Sequence, residues 1–143
     1  MPQPPDAGTR RLVAKRAGYR CEYCLTPASF VPDSFSTEHI TPRSRGGSDD
    51  PENLALSCQG CNNRKASKTA AADPLTDGLV SPFNPRTQQW HEHFEWTETG
   101  TVIEGLTATG RATVYALHLN RPSLVNLRRL LVQAGLHPPR QTQ

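Results

Sequence analysis

The chain has 143 residues, 35% of them apolar, with a formal charge of +3 and a mean hydropathy of −0.61. That length supports one domain, or one small domain with an appendage, and the thin apolar supply favours a core stapled by something other than packing. No apolar run approaches the roughly 20 residues that span a bilayer and no hydrophobic leader stands before the first cysteine, so a cytoplasmic protein with no membrane partner is expected.

Charge is uneven along the chain. Residues 1–68 carry ten Arg and Lys against seven Asp and Glu; residues 69–143 carry six of each. Residues 1–9 are rich in Pro and are expected as a flexible tail. Thr9 is placed to cap a helix over residues 10–17. Arg10, Arg11, Lys15, Arg16 and Arg20 form a basic cluster, which suits either a solvated helix face or contact with a phosphate backbone.

Cys21-Glu22-Tyr23-Cys24 follows. Residues 26–34 read as a loop with Phe30 and Val31 packing inward. Residues 36–40 read as a strand ending in Glu38 and His39, and 42–51 as a hairpin loop in which Gly46-Gly47 and Asp49-Asp50 supply the turn chemistry. Residues 53–57 read as the second strand, and Cys58-Gln59-Gly60-Cys61 repeats the first cysteine spacing. A helix is expected over 62–72, with Asn62 and Lys65 on one face and with Arg64, Lys65 and Lys68 making it basic.

A Pro-containing connector runs to about residue 85. Beyond Trp90, Phe94 and Trp96, the pattern predicts a strand at 101–103, a helix over 111–119 capped by Thr109, and a last helix from Pro122. The last helix carries Leu124, Leu127 and Leu131 and ends at Gly135; this stripe suits a core better than a dimer face. Residues 138–143 read as a tail.

The chemistry lies between Cys21 and Lys68. Two C-x-x-C pairs bring four thiolates to one tetrahedral metal. A closed set of four leaves no position for water, so Zn2+ there is structural; an iron–sulfur cluster and two disulfides are the competing readings. Between and after the pairs stand Glu38, His39, Asn53 and Asn62, residue types that hold a hard cation and activate a water.

In order and spacing, Cys21, Cys24, Glu38, His39, Asn53, Cys58, Cys61, Asn62 and Lys65, with the phrase His39-Ile40-x-Pro42-x-Ser44-x-Gly46-Gly47, resemble the zinc-stabilised HNH endonucleases. The later stretch from His91 to Pro122 is similar to the C-terminal part of small stand-alone bacterial HNH proteins. The resemblance implies an α+β protein: a zinc-clamped ββα-metal core over residues 10–72, and a helical and short-strand C-terminal extension over 73–137 packing on it. It further implies phosphodiester hydrolysis of DNA, by nicking or weakly specific cleavage.

In that reading His39 is the general base. Glu38 and Asn62 bind one catalytic Mg2+ or Mn2+, with Asn63 as substitute if the helix register differs by one; adjacent strand residues face opposite ways, so Glu38 and His39 meet there only if the strand ends in a bend, which the Pro42 loop permits. Asn53 orients His39 and pins the loop. Arg43, Arg45, Arg64, Lys65, Lys68, Arg16 and Arg20 contact phosphates. Two positions depart from the family pattern: Glu38 replaces the more usual Asp, and Asn62 stands where many members carry His. Those departures support the rival reading, a catalytically inactive zinc-containing nucleic-acid-binding module or a subunit of a larger DNA-processing complex. Monomer and homodimer are both compatible with the sequence.

Overall fold

The computed structural model describes residues 4–139. The tail expectations for residues 1–3 and 140–143 therefore lie outside the described residues. Two compact units form. One comprises the chain up to Thr69 with Asn84–Gln88; the other comprises Ala70–Phe83 and the chain from Gln89 onward.

The first unit begins with helix α1, Ala7–Arg16. It starts inside the segment expected as tail, because Asp6 rather than Thr9 is the cap: the Asp6 carboxylate accepts from the Thr9 amide at 2.8 Å. Strands β1, Ser36–His39, and β2, Leu54–Ser57, pair antiparallel, with Glu38 opposite Ala55 and His39 opposite Leu54. All four residues of β2 are buried. Val13 of α1 packs with Leu54 and Leu56, and Phe35, Ala14 and Ala17 border this small cluster. The free edge of β2 is covered by the first cysteine turn: the Glu22 amide donates to the Leu56 carbonyl at 2.9 Å, and the Leu56 amide donates to the Glu22 carboxylate at 2.8 Å. Phe30, expected inside, is 48% exposed.

Helix α2, Gln59–Lys65, follows β2 directly. It is shorter than the expected 62–72. Ala66 leaves the helix at φ 47°, and residues 71–72 pair as a strand instead. That strand leads into the Asp73-Pro74 step. The residue before a proline avoids helical geometry, and Asp73 organises a tight turn by accepting from the Leu75 amide at 3.0 Å and the Thr76 hydroxyl at 3.0 Å.

The second unit contains that small hairpin, β3 (Ala71–Ala72) with β4 (Leu79–Val80), and the short helix α3, Trp90–His93. Strands β5, Phe94–Thr97, and β6, Val102–Gly105, form a second hairpin. β5 falls where the sequence pattern predicts no element, since His91, Glu92, His93 and Glu95 interrupt the aromatic residues. Helix α4, Ala108–Leu117, is capped by Thr107 instead of Thr109, and α5, Pro122–Gln133, buries Leu124 and Leu131 within this unit. Phe83, Phe94 and Trp90 stack in its core, with Phe83 edge-on to Phe94 at 5.3 Å between centroids and Trp90 5.1 Å from Phe94.

Candidate functional site

Four sulfurs meet in the first unit. Cys21, Cys24, Cys58 and Cys61 are all buried and none is in a disulfide. Their Sγ atoms lie within 4.8 Å of one another. Cys24 and Cys58 are 3.7 Å apart at sulfur. That is far beyond a disulfide bond of about 2.05 Å and close to the edge of a tetrahedron with Zn–S bonds of about 2.3 Å. The backbone supports the sulfurs. The Cys24 amide donates to Cys21 Sγ and the Cys61 amide to Cys58 Sγ, both at 3.5 Å, and the second contact also caps α2. Hydrogen bonds from its neighbours, Cys21 first, hold the Cys58 thiol far below its ordinary value, while burial pushes Cys21 up. The residues fit a structural zinc. They leave no open ligand position for chemistry.

β1 runs unbroken through His39, so alternation sends Glu38 and His39 to opposite faces. Glu38 faces inward, 5% exposed. Tyr23, from the first cysteine turn, donates its hydroxyl to Glu38 Oε1 at 2.7 Å. Lys65 of α2 sets its Nζ 3.1 Å from Glu38 Oε2 and donates to the Ile40 carbonyl at 3.2 Å. Asn62, one turn before Lys65, reaches the Ser36 hydroxyl at 3.4 Å, and Ser36 lies on the same face of β1 as Glu38. Burial raises the Glu38 carboxyl above its usual range, and Lys65 and Tyr23 only partly offset this. Burial also pushes the Tyr23 hydroxyl well up. The Lys65 ammonium thus stands between a carboxylate and a carbonyl oxygen, and this pocket of hard oxygen donors already holds a cation.

His39 occupies the other face. Its side chain is 16% exposed, and Nε2 lies 2.7 Å from Asp49 Oδ1. Arg43 grips the same carboxylate, with Nε 3.1 Å from Oδ1 and Nη2 2.8 and 2.9 Å from Oδ1 and Oδ2. His39 and then Arg43 hold the Asp49 carboxyl below its ordinary value. The loop carrying these residues is tied by Asn53. Its Oδ1 accepts from the Thr41 amide at 2.8 Å, and its Nδ2 donates to the Thr41 and Ser48 carbonyls at 3.0 and 2.8 Å. Gly47 is required at the crossing: a Cβ there would fall 1.7 Å from the Thr41 carbonyl oxygen.

Three expectations change against this geometry. Asn53 pins the loop but does not bond His39, its carboxamide bonds going to Thr41 and Ser48; the partner of His39 is Asp49, read in the sequence only as turn chemistry. Glu38 and His39 do not converge, because the strand does not bend between them. Lys65 is no phosphate contact, being 2% exposed against Glu38. Of the other basic residues, Arg43 is drawn onto Asp49. Arg16 donates to the Pro51 and Leu54 carbonyls at 3.0 and 2.7 Å, and Arg20 to the Leu25 carbonyl at 3.0 Å. Arg64 reaches the Gly60 carbonyl at 3.1 Å and Lys68 the Arg64 carbonyl at 2.6 Å. Arg45 is exposed, as are Lys68, Arg11 and Lys15. Tyr23 and Asp49 are the two site residues that only the structure revealed; a hydroxyl inside a C-x-x-C turn and a carboxylate ten residues beyond a histidine carry no period to read.

The arrangement of paired cysteine turns, a Glu-His strand end and a short helix carrying Asn62 finds a counterpart among known families. Residues 21–68 match the family model of the HNH endonucleases. This HNH segment is about a third of the chain and contains every residue of both the sulfur cluster and the β1 strand. No curated protein and no solved structure matches the chain. Among the described residues, no helix is long and apolar enough to cross a membrane.

Proposed function

We propose that the protein is a metal-dependent DNA endonuclease that hydrolyses phosphodiester bonds, with β1, β2 and α2 as a ββα-metal unit stapled by a structural zinc. The observation that carries this reading is His39. It is a half-buried imidazole at a strand end within the HNH segment, on a loop fixed by Asn53, with a carboxylate at 2.7 Å. A neutral imidazole takes the proton of an attacking water near pH 7. Glu38 and Asn62 would hold one Mg2+ or Mn2+, whose charge offsets the negative charge that develops on the phosphate. For that, Lys65 must release Glu38 and the end of β1 must bend, so that the Glu38 and His39 faces meet at one phosphate. The exposed cations Arg45, Lys68, Arg11 and Lys15 position backbone phosphates, which supplies affinity with little sequence preference. Buried free thiols suit a reducing compartment such as the cytoplasm.

Plasmid nicking tests the reading. Zinc-loaded protein and a His39→Ala variant are incubated with supercoiled DNA in Mg2+, Mn2+ or EDTA. Relaxed circles are expected from the wild type with added metal, and about 10²–10⁴-fold fewer from the variant. Wild-type nicking by His39→Ala, or tight DNA binding with no cleavage by either protein, removes the assignment and leaves the zinc-containing binding module.

A further inference from the structure

We infer that Asp49 is a positioning residue for His39: it fixes the imidazole as the tautomer protonated at Nε2, so that Nδ1 is the atom that accepts the proton of the attacking water. This rests on the endonuclease reading above. An ionised carboxylate only accepts hydrogen bonds. The proton between Asp49 Oδ1 and His39 Nε2, 2.7 Å apart, therefore sits on nitrogen, and a neutral ring carries its lone pair on the other nitrogen.

Asp49 is half-exposed, with 48% of its side chain accessible. A surface carboxylate beside a histidine is ordinarily worth little, because both side chains wander. Two features remove that freedom here. The Arg43 guanidinium grips both oxygens of Asp49 from one side, with contacts of 2.8–3.1 Å. The neck of the loop is closed by Asn53, which bonds Ser48, the residue immediately before Asp49, and Thr41, two residues after His39. The Gly47 crossing, which admits no Cβ, sets the same register. Arg43 thus acts through Asp49 on His39 instead of on a phosphate. The arrangement is a chain Arg43, Asp49, His39 in which each member orients the next.

The experiment reads the proton and the rate separately, on zinc-loaded full-length protein. Long-range proton–nitrogen spectra of the histidine rings are recorded at about pH 8, where imidazole is neutral; the His39 signals are those missing from His39→Gln. In the wild type the proton is expected on Nε2. Asp49→Leu keeps the bulk but offers no acceptor, so the proton is expected to exchange between Nε2 and Nδ1. The turnover of plasmid nicking is then expected to fall about 10–100-fold, the loss typical when the partner orienting a metal-bound histidine is removed, with KM unchanged. Asp49→Ala, folded to the same zinc content and circular dichroism, gives the same mixture of tautomers and a similar loss, and Asp49→Glu recovers part of it. A fixed Nε2 tautomer in both Asp49→Leu and Asp49→Ala, or nicking by both at the wild-type rate, overturns the inference. A tautomer that follows Asp49 in a protein that does not nick DNA upholds the placement of the proton and removes the nuclease reading instead.

Discussion

Among the described residues, two acidic side chains are buried, Glu38 in the first unit and Asp73 in the second, and their carboxyl groups shift in opposite directions. Asp73 takes a bidentate Arg111, with Nε and Nη2 at 3.0 and 2.8 Å, plus the Leu75 amide and the Thr76 hydroxyl. Arg111 first, then these local donors, hold its carboxyl far below the usual range in spite of burial. Glu38 has one hydroxyl and one ammonium, and burial wins. The comparison teaches that donor count, not burial, decides whether an interior carboxylate is settled. Asp73 is a finished structural joint that organises its turn. Glu38 is under-supplied, as perturbed carboxyl groups at functional sites often are.

The largest break in this comparison comes from removing the zinc that the four thiolates of the first unit would hold. The cluster of Val13, Leu54 and Leu56, at about 1.5–3 kcal/mol for each side chain, contributes less than the roughly 10–16 kcal/mol of a four-thiolate zinc site. Chelation, or Cys58→Ser, is therefore expected to unfold the first unit. The buried thiols would then react rapidly with a thiol reagent and circular dichroism would drop. Slow thiol reaction after chelation would mean the packing alone suffices.

A smaller break is Lys65→Met. It leaves the Glu38 charge buried with only the Tyr23 hydroxyl, which costs about 3–5 kcal/mol, measured by denaturant unfolding. Adding Glu38→Gln should return most of that loss, since the uncompensated charge is gone. A Lys65→Met protein as stable as the wild type would show that the ion pair is not formed in solution.

The pH dependence of the second unit sharpens the contrast most gently. The folded Asp73 carboxyl lies below its unfolded value, so its contribution is present above the ordinary aspartate range and is lost as pH falls through the folded value. Glu38, shifted up, contributes in the opposite sense. Both tryptophans, Trp90 and Trp96, belong to the second unit, so their fluorescence follows that unit. Asp73→Asn is expected to be less stable at neutral pH and to show a flatter acid limb. An acid limb unchanged by the substitution would mean Asp73 is not the group that titrates.

Much of the first unit was legible. The two C-x-x-C spacings named the four clustered cysteines because ligands in a tight turn need a fixed separation. The strand pair was read to within a residue at each end because Leu54 and Leu56 share one face and the Gly46-Gly47 turn lies between the strands. Helix boundaries were less legible. Thr9 and Thr109 lost their caps to Asp6 and Thr107, neighbours with equally suitable side chains, and Ala71-Ala72 became a strand leading into the Asp73-Pro74 step.

By itself the sequence determined the kinds of chemistry present: four thiolates, an imidazole beside a carboxylate, amides and basic residues, in an order shared with the HNH endonucleases. Only the tertiary structure decided which of them meet. It sent Glu38 and His39 to opposite faces of one strand, gave Glu38 to Tyr23 and Lys65, and gave His39 to Asp49. The reason is that side-chain partnership depends on direction and distance across elements that are 10 to 27 residues apart in the chain, and local spacing encodes neither.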